Sequence, residues 1–320
     1  MRRTGIWVMV AFVAAYVVVG VVLDGGKISA HDIPALVRPW LLPVLLVMAP
    51  MNYLLRFVKW QMYTVRLGFR HVPWRANLVI FLAGLGLTVT PGKFGELIKS
   101  WLLWDRYRVP AASSAPMVVA DRLTDGCAML VLATVGVVLL GRGKAPYSLI
   151  AAIVVLIALL RSRRVMLWVL RLLARLPRLG ALEHKMHELL DAGQALLEVD
   201  IFGYALGLGL VGWGMEGLIV FLALAAFGWK ISIAASLLVV ASSAIAGGIS
   251  ALPGGVGAAE GVMIGLLLWL NVPLPLAVLT MLITRFSTLW LGVTIGLIAL
   301  GAVQARDGSP RKAATGPAPS

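Results

Sequence analysis

Long apolar runs, separated by short basic clusters, set the pattern of the chain. Six of them, at about 5–23, 35–58, 111–140, 145–160, 201–227 and 274–301, read as membrane-crossing helices, the fourth being short. A helix rises 1.5 Å per residue, so roughly 20 apolar residues cross a hydrocarbon core about 30 Å thick. Two further apolar stretches, 76–104 and 231–271, are broken in the middle. The first break reads Thr90-Pro91-Gly92-Lys93-Phe94-Gly95-Glu96. The second reads Leu252-Pro253-Gly254-Gly255-Val256-Gly257, with Glu260 close behind. Proline removes a backbone donor and glycine permits sharp turns. Broken backbone inside a bilayer is tolerated only where protein buries it or a wet cavity is beside it. Both stretches therefore predict re-entrant hairpins of two short helices, with a kinked full span as the alternative. The expected fold is an all-α integral membrane protein with about six transmembrane helices and two such hairpins.

The same pattern divides the chain. Residues 1–160 form a first repeat, 161–200 a connector, 201–303 a second repeat and 304–320 a tail. In the connector, Arg171, Arg175 and Arg178 alternate with Leu170, Leu173 and Leu176. Beyond them Leu182, Met186, Leu189, Leu190, Leu196 and Leu197 recur near helical spacing among Glu183, Lys185, Glu188 and Asp191. Amphipathic helices on the cytoplasmic surface are expected, and the second fits a connector packed on the bundle equally well. The tail is rich in Pro, Ser, Ala and basic residues, a composition that predicts disorder.

Composition agrees with the membrane reading: 60% of residues are hydrophobic and 13% charged, against about 45–50% and 25% in a soluble domain. A net charge of +14 would suit a nucleic-acid partner. The basic residues, however, sit in short clusters between apolar runs, as loops of a membrane protein do, and no nucleic acid is expected. With Met1 inside and each hairpin returning to its own side, Lys59, Arg66, Arg70, Arg75, Lys99, Arg106, Arg108, Arg161, Arg163 and Arg164 fall in cytoplasmic loops. Lys27, Arg38, Arg142, Lys144 and Lys230 fall outside. That asymmetry predicts cytoplasmic N- and C-termini. The first hairpin then enters from the cytoplasm and the second from outside, which makes the repeat inverted.

The two halves also match in their charges. Arg122 lies 31 residues after Pro91, and Arg285 lies 32 after Pro253. Glu96 and Glu260 follow their breaks at +5 and +7. Arg122, Arg285 and Glu216 fall near mid-bilayer, and Asp121 and Asp125 flank Arg122. A charge at the bilayer centre costs about 2.5–3.5 kcal/mol or more. Lys93, Glu96, Asp121, Arg122, Asp125, Glu216, Glu260 and Arg285 must therefore face one another or water. They form the candidate substrate-binding set, with Pro91, Gly92, Pro253, Gly254 and Gly255 as the backbone breaks. Arg122 with Glu96, and Arg285 with Glu260, are expected to act as interior locks or as ligand contacts.

Other chemistry is weakly represented. His184 and His187 sit on a surface helix without a metal-ligand cluster, so no metal is expected. Gly92-Lys93 is followed by Phe94, so no phosphate-binding loop of the nucleotide type is present. No nucleophile or acid–base set stands out, and neither an enzyme nor a cofactor is expected. The single cysteine, Cys127, excludes an intrachain disulfide.

The run Thr90 to Glu96, Asp121-Arg122, and Leu252 to Gly257 with Glu260 resemble the transmembrane domain of the bacterial lysylphosphatidylglycerol synthase/flippase family. The likeness covers about 5–301. It implies a multi-pass protein of the bacterial inner membrane that moves lipid between leaflets. It also implies stand-alone relatives, some linked to hopanoid lipids. Larger members carry a soluble aminoacyl-transfer domain after the membrane part. This sequence ends at Ser320 without one, so synthesis of an aminoacyl lipid is not expected. A non-transporting scaffold for a lipid-modifying enzyme is the alternative.

Overall fold

The computed structural model describes residues 38–90, 95–141 and 186–307. Its elements run α1 (Leu41–Arg66), α2 (Trp74–Leu85), α3 (Ile98–Tyr107), α4 (Ala111–Leu139), α5 (Met186–Leu196), α6 (Val199–Ala226), α7 (Ile233–Ile249) and α8 (Ala258–Trp269). They finish with α9 (Leu274–Arg285), a π-turn at Phe286–Trp290 and α10 (Leu291–Asp307). No strand occurs among the described residues. The runs expected at 5–23 and 145–160, the first part of the connector with His184, the tail beyond 307, and Pro91, Gly92 and Lys93 lie outside them.

Four stretches are long and apolar enough to cross a membrane: α1, α4, α6 and the continuous run Leu274–Ala305. α4 and α6 coincide closely with the runs at 111–140 and 201–227. The run at 35–58 is a correction, since α1 continues unbroken to Arg66. Lys59 does not end the span, because its ammonium is buried against carboxylates of α4. Lys59 and Lys99, assigned above to cytoplasmic loops, are only 1% and 2% exposed. Meanwhile Val47, Leu139 and Ile298 are 65%, 68% and 69% exposed. Apolar side chains outside and charges inside invert the pattern of a soluble domain, as a hydrocarbon solvent requires.

The broken stretches become pairs of short helices. α2 and α8 have 12 residues each and α3 has 10, lengths of about 18 and 15 Å. α7 has 17 residues, about 26 Å. None alone matches the roughly 30 Å core. The first helix of each pair packs against the arginine-bearing span of the other half: α2 against α10, and α7 against α4. Small residues allow the close approach. A Cβ on Gly86 would stand 2.8 Å from the Gly296 carbonyl carbon. α2 is also tied to α1, where Trp60 Nε1 donates to Asn77 Oδ1 at 3.0 Å and Asn77 Nδ2 donates to Gln61 Oε1 at 2.7 Å.

One apolar core gathers Trp60, Tyr63, Phe81, Leu103 and Met117 between α1 and α4, and a second gathers Val220, Val239, Met263, Leu267 and Met281 between α6 and α9. α5 belongs to the bundle. Leu196 is buried in the first core, and Ser113 Oγ at the start of α4 donates to Glu188 Oε1 at 2.5 Å.

Candidate functional site

Each backbone break delivers a glutamate to the interior. In the first half, Thr90 Oγ1 donates to the Leu87 carbonyl at 2.8 Å and accepts from the Gly95 amide at 2.7 Å. That staple sets where Glu96 begins the return to α3. In the second half the chain turns through Gly254, Gly255 and Gly257, all with positive φ of 63°, 69° and 91°. Gly257 then starts α8, and Glu260 Oε2 accepts its amide at 2.5 Å. A glutamate three residues into a helix commonly satisfies a free amide in this way.

Gly255 has a second constraint, because a Cβ there would stand 2.8 Å from the Gly247 Cα. The left-handed backbone alone costs a side chain about 1–2 kcal/mol. Gly255→Ala should therefore lower the thermal unfolding temperature in detergent more than Gly254→Ala, whose nearest neighbour would be a flexible Val89 methyl at 3.4 Å. Equal shifts would contradict the packing argument.

Both glutamates meet the arginine of their own half. Arg122 Nη2 donates to Glu96 Oε1 and Oε2 at 2.7 and 2.6 Å. Arg285 Nε lies 2.6 Å from Glu260 Oε1. Each glutamate has a further hold. Lys99 Nζ is 3.3 Å from Glu96, over the Trp60 ring at 4.4 Å, and Glu260 keeps the Gly257 amide. Arg285 Nη2 is buried without a hydrogen-bond partner among the described residues.

Arg122 also lies 3.6 Å from Asp121 and 3.7 Å from Asp125, one helical turn along. Under these carboxylates sits Lys59 Nζ, 2.7 Å from Asp121 Oδ1 and 2.5 Å from Asp125 Oδ1. Glu216 on α6 takes a 2.9 Å hydrogen bond from Asn52 Nδ2 and lies 3.3 Å from Arg56 Nη2. Arg56 in turn stacks on Trp213 at 4.8 Å.

The structure thus joins Glu96, Asp121, Arg122, Asp125 and Glu216 in one interior ion-pair network; Arg285, paired separately with Glu260, faces the same cavity, and Lys93 is outside the described residues. Sequence reasoning missed Asn52, Arg56, Lys59 and Lys99. Arg56 lay near the expected end of a span, and the two lysines resembled loop charges. The available signal was the excess of carboxylates: Asp121 and Asp125 with a single neighbouring arginine require another buried cation.

These charges face a cavity of about 550 Å³. Arg56, Glu96, Arg122, Asp125, Glu216 and Arg285 line it, drawn from α1, α4, α6, α9 and the return after the first break. Around them the wall is apolar, with Met129, Leu130, Met263 and Leu289, and it runs out to the exposed Ile249 and Leu252 at the second break. Pockets of roughly 300–1,000 Å³ hold ligands of drug size. No group of residues suited to a metal ion occurs among the described residues.

The family model described as the lysylphosphatidylglycerol synthase TM region matches residues 6–296, nearly the whole helical part. The chain belongs to this family. It is a multi-pass membrane protein by that membership and by its four spanning helices. Neither the curated proteins nor the solved structures hold a match to it. In this family member, Arg122 with Glu96 and Arg285, which pairs with Glu260, line one charged cavity with apolar surroundings.

Proposed function

We propose that this member of the lysylphosphatidylglycerol synthase TM family moves an amphiphilic lipid between leaflets, without itself performing a chemical reaction. One observation carries the reading: an Arg–Glu pair from each half faces or borders the same cavity, Arg122 with Glu96 and Arg285 with Glu260. The head group occupies the charged centre while its tails lie along the apolar wall that leads out at Ile249 and Leu252. Arginine's planar fork suits a phosphate or other anionic head. Glu96 and Glu260 hold the arginines in the empty state. When an arginine turns to the ligand, Lys99 and the Gly257 amide remain to hold the glutamates.

In this reading the short helix pairs are re-entrant hairpins and the halves form an inverted repeat. The reciprocal packing of α2 on α10 and α7 on α4 supports that symmetry. Inverted repeats with broken helices commonly alternate access around a midplane site. The protein resides in the bacterial inner membrane with both termini in the cytoplasm, and Lys93 joins the binding set. The alternative, a scaffold for a lipid-modifying enzyme, draws on the closure of these ion pairs on one another.

Proteoliposomes carrying fluorescent phosphatidylglycerol in both leaflets separate the two readings. Dithionite bleaches the outer leaflet at once, and inner-leaflet dye only as it crosses. Native protein should bleach the whole pool, while Arg122→Ala, Arg285→Ala and Glu96→Gln, checked for folding, should slow crossing at least tenfold. Native protein that carries no lipid, or folded variants as fast as native, would favour the scaffold.

A further inference from the structure

The charged wall of the cavity is balanced among the described residues. Arg56, Arg122 and Arg285 face Glu96, Asp125 and Glu216. An anionic head group entering this space adds a charge that nothing on the wall cancels, and uncompensated charge is costly at low dielectric.

The three carboxylates are not held alike. Asp125 has Lys59 at 2.5 Å, with Arg122 at 3.7 Å and Arg56 at 3.9 Å. Glu96 has both contacts of Arg122 and Lys99 behind it. Among the described residues Glu216 has one cation in ion-pair reach, Arg56 at 3.3 Å, and shares it with Asp125.

The nearest polar partner of Glu216 is a neutral amide, Asn52 Nδ2 at 2.9 Å. Asn52 is 2% exposed, and its Oδ1 has no hydrogen-bond partner among the described residues. An ionised carboxylate can only accept, so it has no use for that oxygen; a protonated carboxyl donates and does. Rotating the amide exchanges Nδ2 for Oδ1, so one side chain serves Glu216 in both protonation states. Buried acceptors are rarely left unused.

The surroundings allow the change. α1 brings Tyr53, Arg56 and Lys59 to this side of the bundle, α4 brings Asp121, Arg122 and Asp125, and α9 brings Arg285. α7, packed along α6, has no titratable side chain. α5 adjoins the start of α6, with Glu188 engaged by Ser113 and Asp191 exposed.

We infer that Glu216 takes up one proton from the aqueous phase as an anionic phosphodiester head group enters, and that this frees Arg56 for the ligand. The inference rests on the lipid-moving reading above and gives it a charge rule. A carboxylate and a proton become a carboxyl group, no other bond changes, and the loaded cavity remains neutral. Transport of an anionic lipid is then linked to the pH on each side of the membrane.

Isothermal titration calorimetry of the full chain in detergent tests this with dioctanoyl-phosphatidylglycerol, in two buffers of different ionisation enthalpy. The native protein should take up about one proton per lipid bound. Its apparent Kd should weaken about tenfold per pH unit while the empty site holds Glu216 ionised, the slope for one linked proton. Glu216→Gln should bind the same lipid with no uptake and no pH slope. Asn52→Leu removes no charge but takes away both the donor to ionised Glu216 and the acceptor for its protonated form, so the pH range over which Kd changes should narrow from both ends. Dioctanoyl-phosphatidylethanolamine, already neutral, should draw no proton, and glycerol phosphate without tails should bind at least tenfold more weakly.

Native binding without uptake, or uptake that survives in Glu216→Gln, overturns the inference and leaves the lipid-moving reading in place. Glycerol phosphate binding as tightly as the lipid assigns the site to a soluble phosphate and overturns it also. Absence of both binding and leaflet exchange removes the lipid-moving reading itself, and the inference with it.

Discussion

Replacing Lys59 with methionine should cost about 3–5 kcal/mol, the usual penalty for removing one partner of a buried ion pair. Methionine fits the stem but not the charge. Asp121 and Asp125 would lose contacts of 2.7 and 2.5 Å and remain buried, at 4% and 2% exposure. Arg122 and Arg56 stand 3.6 Å or more from them, too far to take over without leaving Glu96 and Glu216. The same lysine joins α1 to α4, so the loss is structural before it is functional. Thermal unfolding in detergent, followed by size-exclusion profile, should show Lys59→Met largely aggregated where native protein is monodisperse. Adding Asp121→Asn and Asp125→Asn removes the stranded charges and should restore much of the folded fraction. Lys59→Met as stable as the native protein would mean that the cluster is hydrated from the cavity rather than held by Lys59.

The same lysine marks where sequence reasoning ran short. α4, α6 and the run from Leu274 were legible because their apolar stretches are long and begin beside prolines or after the connector. α1 was cut short at a charge whose partners lie on another helix, more than 60 residues away. No local pattern distinguishes such a lysine from a loop lysine. Lys99 was misassigned for the same reason, its ammonium lying between Glu96 and the Trp60 ring. The pairs Arg122–Glu96 and Arg285–Glu260 were readable because each half repeats the same order of break, glutamate and arginine. Asn52 and Arg56 were not, because their partner Glu216 lies 160 or more residues on.

The second large effect concerns the route itself. Gly126 lies on the cavity wall, and a Cβ there would meet nothing within 4 Å. Gly248, also on the cavity wall in α7, is open in the same way. A tryptophan at either position should fill part of the cavity and removes no charged residue. Glycine inside a helix also costs about 1 kcal/mol relative to alanine, so the change should not weaken α4 through its backbone. This differs from charge removal, which alters binding and stability together.

The leaflet-exchange rate of Gly126→Trp, measured in proteoliposomes beside native protein of equal unfolding temperature, tests the central claim most directly. If lipid head groups pass through this cavity, Gly126→Trp should fall to the rate of protein-free vesicles, with Gly248→Trp slowed in parallel. If folded Gly126→Trp exchanges lipid as fast as the native chain, the cavity is not the path, and the function built on it is wrong.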